Sequence, residues 1–276
     1  MKIAFWSELH GQTGQTSTMA AISVITSMEH FCRVLMAQTK FSHSTLESAF
    51  IRPSHIQNDI ISFNDYGIDA LERLARTNQL KPADIKDYTI EILKSRLDLL
   101  VGTKKPVIAM YENIINVVST IFGHASISYD LTMIDVNSGS QDPMTLEVLR
   151  SSDLVVVNLS QNMYVLDRFF SKRDWPNVLN EKPMIYVIGN YEKESRYSNK
   201  QIARKFGVKD PIYVIPRLPA YADALNEGAI KEFFFRNRKV TREHEAGYFL
   251  NEVRRLSKAI LTKAGLSNKI IGDKGA

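Results

Sequence analysis

This sequence lacks the features that mark secreted and membrane-spanning proteins. It has one cysteine, Cys32, in 276 residues, so an internal disulfide is excluded and a reducing compartment is expected. No apolar run is long enough to cross a bilayer. The short apolar run Ile3–Trp6 leads directly into polar residues, unlike a signal peptide. We therefore expect a cytoplasmic protein.

Patterns for zinc binding and for a serine nucleophile are also missing. The six histidines include no pair spaced four residues apart and no His-x-x-Glu-His pattern, which argues against a zinc site. No Gly-x-Ser-x-Gly segment is present, so the sequence gives no support for serine nucleophile chemistry.

Positive charge is concentrated towards the C-terminal end. The formal net charge is +5, and residues 230–276 hold eleven Lys and Arg residues against five Asp and Glu residues. Such a surface could attract DNA or anionic lipid. We favour a solvated helix surface. We interpret the aromatic run Phe233–Phe235 as a buried triplet rather than as a contact for nucleic acid or membrane.

The overall composition is that of a soluble globular protein. Hydrophobic residues make up 44% of the chain and charged residues 24%, and the length suits one large α/β domain. We predict one domain over residues 1–264 and a flexible tail over residues 265–276.

Short apolar segments alternate with segments of helical character. Strands are predicted at Lys2–Trp6, Arg33–Thr39, Arg96–Leu100, Asp130–Val136, Leu154–Leu159, Met184–Gly189 and Ile212–Ile215. Helices are predicted at about residues 16–28, 62–80, 82–93, 111–122 and 245–263. This alternation predicts a doubly wound, mainly parallel sheet flanked by helices. Ligands of such sheets bind beyond the carboxyl ends of the strands, so the loops after Trp6, Thr39, Val136, Gly189 and Ile215 should surround one crevice.

The loop after the first strand has the composition of a phosphate loop without its lysine. Such a loop needs glycines, so that backbone N–H groups can surround phosphate oxygens, and a hydroxyl for Mg²⁺. Gly11, Gly14, Thr16 and Ser17 meet both needs, but the residue before Thr16 is the uncharged Gln15. Taken alone, a loop of this composition could also be a purely structural turn.

The loop resembles the deviant Walker A motif of MinD/ParA proteins, Lys-Gly-Gly-x-Gly-Lys-Thr-Thr. On that alignment His10 and Gln15 stand at the two lysine positions. The resemblance implies a P-loop NTPase fold of three layers and binding of ATP or ADP with Mg²⁺. It assigns nucleotide contacts to His10, Gly11, Gln12, Thr13, Gly14, Gln15, Thr16 and Ser17, and a metal contact to Thr16.

Later segments follow the same family's order. The segment Asp135-Val136-Asn137-Ser138-Gly139 resembles the switch II Asp-x-x-x-Gly, which implies that Asp135 holds the hydration shell of Mg²⁺ and that the Gly139 amide faces a γ-phosphate. Asn190 stands where the family's asparagine reads adenine. Pro216 and Arg217 lie in the segment that completes the base pocket.

The departures from the family concern charge at the γ-phosphate. Both loop lysines are absent, and Met36–Lys40 has no counterpart of the switch I carboxylates. Losing a charge-assisted hydrogen bond costs about 1.5–3 kcal/mol in binding, and missing cations cost about 10³ or more in rate. We therefore predict slow or absent hydrolysis. Lys40 could stand in as a cation, but a lysine just after a strand is usually solvated.

The resemblance suggests three functions. The first is a spatial-positioning or assembly factor similar to the TadZ/CpaE pilus-localisation proteins, acting as a homodimer that docks a pilus or secretion ATPase. The second is an active ParA-type partitioning ATPase whose basic C-terminal surface binds DNA nonspecifically. The third is a structural interaction module that binds no nucleotide.

Overall fold

The computed structural model describes residues 1–40, 45–52, 66–103, 108–173, 175–241 and 244–266, and within these not the side chains of residues 108–111. One eight-stranded sheet has the order β3-β4-β2-β5-β1-β6-β7-β8. The strands are β1 Lys2–Trp6, β2 Val34–Gln38, β3 Ile90–Leu93, β4 Leu97–Leu100, β5 Leu131–Asp135, β6 Leu154–Leu159, β7 Met184–Tyr191 and β8 Ile212–Pro216. Every neighbouring pair is parallel except β3 with β4. The predicted doubly wound, mainly parallel sheet is confirmed.

Helices cover both faces of this sheet. They are α1 Gln15–Glu29, α2 Ile68–Arg76, α3 Ile108–Ser128, α4 Pro143–Ser151, α5 Met163–Phe170, α6 Asn199–Phe206, α7 Pro219–Asn226, α8 Ile230–Asn237 and α9 Glu245–Lys263. Ile3 and Phe5 of β1 pack with α1, α7, α8 and α9, whereas Ala4 and Trp6 pack with α2 to α6. This is the alternation expected of a strand buried on both faces. In the part of the chain that is described, no helix combines the length and the apolar character needed to span a membrane.

Two predicted helices differ from the structure. The segment predicted as a helix at residues 82–93 forms a 3-10 turn at Pro82–Tyr88 and then β3, which pairs antiparallel with β4. Ser95 reverses the chain between the two strands with a left-handed φ of 58°. Of the helix predicted at residues 62–80, only Ile68–Arg76 is helical, and residues 62–65 lie outside the described residues.

The remaining predicted elements have the predicted type, with shifts of a few residues at their ends. The helix predicted at residues 111–122 is longer and spans Ile108–Ser128. The aromatic run lies on α8, where Phe233 and Phe234 are buried but Phe235 is 52% exposed. The prediction of three buried aromatic residues is therefore correct for two of them. Most of the predicted tail, residues 267–276, lies outside the described residues.

Strand register places the functional side chains at one edge of the sheet. Asp135 at the end of β5 is level with Phe5 of β1 on one side and with Gln38 of β2 on the other. The chain segments that leave β1, β2 and β5 therefore start at the same height. The order of the strands reverses direction between β5 and β1, and a ligand of a doubly wound sheet is expected at such a switch point.

Candidate functional site

The loop between β1 and α1 has the backbone geometry of an anion-binding turn. Gly11 and Gly14 adopt left-handed φ values of 74° and 59°, which glycine permits without steric cost. The first hydrogen bond of α1 runs from the Thr18 N–H to the Gly14 carbonyl at 2.8 Å. The N–H groups of the first turn thus have no intrahelical acceptor, and none of the described side chains caps this end. Such an N-terminus favours an anion.

A cavity of about 260 Å³ lies over this turn. The loops after β1, β2 and β5 supply its walls, which are Ser7, His10, Gly11, Thr13, Gly14, Gln15, Thr16, Ser17, Lys40, Thr45 and Ser138. Three of the five loops predicted to surround a crevice are therefore brought together here. The volume lies below the range of about 300–1,000 Å³ usual for pockets that enclose a whole ligand, so it suits phosphate groups better than a complete nucleotide.

The Thr13 hydroxyl is an unsatisfied polar group in the cavity wall. Thr13 is 2% exposed, and its Oγ1 finds no hydrogen-bond partner within the described part of the chain. Buried hydroxyls in folded proteins are nearly always hydrogen-bonded. A ligand oxygen in the cavity would give this one a partner.

Gln15 is buried, and its side-chain amide connects the base of the loop to the sheet by hydrogen bonds. Its Nε2, which carries two N–H donors, lies 2.7 Å from Phe5 O, 2.6 Å from Asp135 Oδ1 and 2.7 Å from Val136 O, while its Oε1 accepts from Ser7 Oγ at 2.7 Å. Three acceptors around the nitrogen fix the orientation of the amide, because a flipped amide would set oxygen against oxygen. At the position of the family's second lysine, this chain thus has an uncharged side chain whose hydrogen bonds are made within the protein.

Lys40 is also buried, which corrects the expectation that it is solvated. Its residue exposure is 7%, and its Nζ lies 2.7 Å from Asp135 Oδ2 and 2.9 Å from Thr16 Oγ1. The Thr16 hydroxyl donates to the same Asp135 oxygen at 2.7 Å. The fully buried Asp135 carboxylate needs a compensating cation, and Lys40 supplies it from the segment after β2.

This arrangement does not fit a magnesium ion at the predicted ligands. Mg²⁺ requires oxygen ligands at about 2.0–2.1 Å in an octahedral shell. The resemblance assigns Thr16 to that shell and Asp135 to its hydrating waters, and both side chains are hydrogen-bonded to the Lys40 ammonium group. Over the described ranges, no cluster of three or more His, Cys, Asp or Glu residues offers another metal site.

Gly139 and Asn190 both lie close to the loop, and the Gly139 amide does not have its predicted role. The Gly139 N–H donates to Ser7 O at 2.9 Å, so this amide does not face the cavity as the resemblance implied. Asn190 has a left-handed φ of 50°, and its side-chain amide would lie 3.2 Å from a Cβ atom on Gly14. Asn190 therefore lies beside the loop, and its contact with adenine remains a prediction.

The other predicted nucleotide contacts lie at the rim of the cavity or beyond it. His10, Gly11 and Gln12 are exposed, and Gln12 is not among the described residues that form the cavity wall. Pro216 ends β8, and the Arg217 N–H donates to Tyr191 O at 3.0 Å. Their part in a base pocket remains a prediction.

Sequence reasoning missed several residues that shape the site. The buried Ser7 and the half-buried Ser138 form a hydroxyl pair at 2.8 Å beside Gln15. Gly189 was interpreted only as the end of a strand, yet a Cβ atom there would overlap the Thr13 carbonyl oxygen. Lys40 was recognised as a possible cation but expected to be solvated; the signal for its burial was a lysine just after a neighbouring strand in a chain whose loop had lost its own cation.

Comparison with known proteins identifies the fold. No family model and no curated protein matches the sequence. A ParA family ATPase from Chlorobium tepidum is similar in structure with a TM-score of 0.69 and 18% sequence identity, over 93% of this chain and 98% of its own. The septum site-determining protein MinD from Pyrococcus horikoshii, complexed with Mg-ADP, gives 0.68 and 15%, over 95% of this chain and 99% of its own.

A chain of the MinC:MinD cell division protein complex from Aquifex aeolicus is also similar, with a TM-score of 0.62 and 15% identity over 93% of this chain and 96% of its own. The eight-stranded sheet and its flanking helices therefore form the P-loop NTPase fold of the MinD/ParA type. At identities this low, the likeness shows the fold alone.

Proposed function

We propose that this chain is a MinD/ParA-like protein with a degenerate phosphate loop, which binds the phosphates of ATP or ADP and hydrolyses ATP weakly or not at all. The observation that carries the proposal is the combination of a glycine-built anion cradle with a buried, neutral Gln15 at the lysine position. The cradle supports binding, and the missing cation argues against turnover.

Several donors around the cavity support phosphate binding. The first-turn N–H groups of α1 face this end of the helix, the Thr13 hydroxyl lacks a partner among the described residues, and Lys40 lines the wall. A diphosphate or triphosphate fits the chemistry of these groups. The ribose and base would extend outside the cavity, towards the proposed base contacts Asn190, Pro216 and Arg217.

Weak hydrolysis is expected because the site has few charged groups available to a γ-phosphate. Phosphoryl transfer depends on cations and a positioned water at the γ-phosphate. Gln15 carries no charge and is held by three acceptors, and Asp135 is already paired with Lys40. No group in the described cavity wall combines a carboxylate with access to an attacking water.

The cellular role that we propose is positioning or assembly. We propose a cytoplasmic homodimer, similar to TadZ/CpaE proteins, that docks a protein partner such as a pilus or secretion ATPase, with residues 1–264 as one domain. DNA binding by the C-terminal surface is less well supported, because Arg254 and Arg255 form ion pairs with Glu29 and Glu252.

Ligand-induced stabilisation tests the binding part of the proposal. ADP and ATP at millimolar concentration should raise the melting temperature, since a ligand that binds only the folded state stabilises it. Thr13→Val should reduce this shift, because valine keeps the shape but lacks the hydroxyl. Thr18→Val is the matched control, since Thr18 is equally buried with an unpartnered hydroxyl in the described structure but lies outside the cavity wall.

Two results would contradict the proposal. If no nucleotide shifts the melting temperature of the wild-type protein, the chain is a structural interaction module instead. If the purified protein shows robust steady-state ATPase activity that Thr16→Ala abolishes, the weak-hydrolysis part is wrong, and an active ParA-type ATPase becomes the better interpretation.

A further inference from the structure

The position of the Lys40 ammonium group bears on which cation neutralises a phosphate ligand at this site. In P-loop NTPases the metal ion is held by the hydroxyl that follows the loop and by an aspartate at the end of a neighbouring strand. The Lys40 Nζ contacts the two side chains that have those positions here, Thr16 Oγ1 at 2.9 Å and Asp135 Oδ2 at 2.7 Å.

The lysine and a metal ion compete for the same oxygens. A Mg²⁺ ion at its usual distance of about 2.1 Å from Thr16 Oγ1 would lie within about 5 Å of Nζ, given the 2.9 Å between Nζ and that oxygen. The two cations would repel each other in a largely buried setting, where charge repulsion is strong. The metal would also displace two short hydrogen bonds of Lys40.

Within the described residues, the ammonium group has hydrogen-bond acceptors for two of its N–H donors. A lysine ammonium group has three N–H donors, and the hydrogen bonds to Thr16 and Asp135 account for two of them. Lys40 also belongs to the wall of the cavity above α1. Its third N–H is therefore placed to meet a phosphate oxygen, together with the unpartnered hydroxyl of Thr13 in the same described wall.

We propose that the Lys40 ammonium group takes the place of Mg²⁺ in this site, so that the polyphosphate of a nucleotide is bound without a divalent cation. The inference rests on the proposed nucleotide binding and adds the nature of its counter-ion. One positive charge, contributed by the protein, replaces the two of a metal ion, and Thr16 and Asp135 serve to hold the lysine rather than a metal.

Calorimetric titration of the full chain with ADP tests this inference. The dissociation constant should be the same within about twofold in EDTA and in millimolar Mg²⁺. A requirement for Mg²⁺ of about tenfold or more would overturn the inference and leave the proposed function standing. Absence of ADP binding under both conditions would overturn the proposed function, and the inference with it.

Titration with Mn²⁺, followed by electron paramagnetic resonance, provides a second measurement that does not depend on nucleotide. The wild-type protein should bind no Mn²⁺ at this site, whereas Lys40→Ala should gain Mn²⁺ binding through the released Thr16 and Asp135. Lys209→Ala, at an exposed lysine, is the matched control and should behave like the wild type.

Wild-type binding of one Mn²⁺ that Thr16→Ala abolishes would overturn the inference, and this measurement decides even if Lys40→Ala does not fold. A folded Lys40→Ala variant that gains no Mn²⁺ binding would overturn it as well, because Lys40 would then not be what keeps the metal out.

Discussion

The buried ion pair between Lys40 and Asp135 sets the stability loss expected from Lys40→Met. The Asp135 side chain is fully buried and that of Lys40 is 8% exposed. Methionine keeps much of the apolar volume of the lysine stem but leaves the carboxylate without its cation. Removing one partner of a buried pair costs about 3–5 kcal/mol. We expect the lower end, about 3 kcal/mol, because Gln15 and Thr16 still donate to Asp135.

Urea denaturation followed by circular dichroism measures this loss. With an m value of about 3 kcal/mol/M, the midpoint should fall by about 1 M. Arg150→Met is the matched control, since its ion pair with Glu147 has side chains 66% and 29% exposed and such pairs contribute about 0–1 kcal/mol.

A double-mutant cycle separates the pair from other effects of the substitution. Lys40→Met combined with Asp135→Asn removes both charges, so it should cost clearly less than the sum of the two single changes. If Lys40→Met costs no more than Arg150→Met, or if the two single changes add, the buried ion pair of Lys40 and Asp135 is refuted.

Three further predictions follow from neighbouring contacts. Gln15→Lys should not restore ATPase activity, because the new ammonium group would meet the same three acceptors at the base of the loop; turnover rising well above background would contradict this. Gly189→Ala should abolish the thermal shift caused by ADP while the protein stays folded, because the added Cβ displaces the Thr13 carbonyl; an unchanged shift would show that the loop can adapt. Burial raises the pKa of Asp98 above its ordinary value of 3.8, although its hydrogen bond from Tyr129 opposes this. The contribution of Asp98 to stability is therefore present below that ordinary value and is lost as pH rises through the raised pKa. Asp98→Asn should lack this loss, so its unfolding free energy relative to wild type should improve between acid and neutral pH, and a constant difference would contradict the assignment.

The parallel sheet could be predicted because its strands are buried on both faces. Runs such as Leu154–Leu159 are almost wholly apolar, which is typical of central strands in α/β proteins. The hairpin of β3 and β4 could not be predicted in the same way. Short apolar spacings such as those of Ile90 and Ile92 do not separate strand from helix, and the left-handed turn at Ser95 uses a residue type that rarely adopts that conformation.

The backbone of the site was predictable, whereas its electrostatics were not. Gly11 and Gly14 signal a turn with positive φ, and both adopt it. The burial of Lys40 depends on Asp135, which lies 95 residues further along the chain. Only the register of β2 against β5 brings the two together, and no local pattern encodes that contact.

A structure of the protein crystallised with ADP in the presence of EDTA tests the central claim most directly. We predict that the diphosphate lies over the N-terminus of α1, within hydrogen-bond distance of Thr13 Oγ1 and Lys40 Nζ, with the lysine still bound to Asp135. A nucleotide bound elsewhere, or a diphosphate that enters only with a metal ion and with Lys40 turned out of the site, would contradict it.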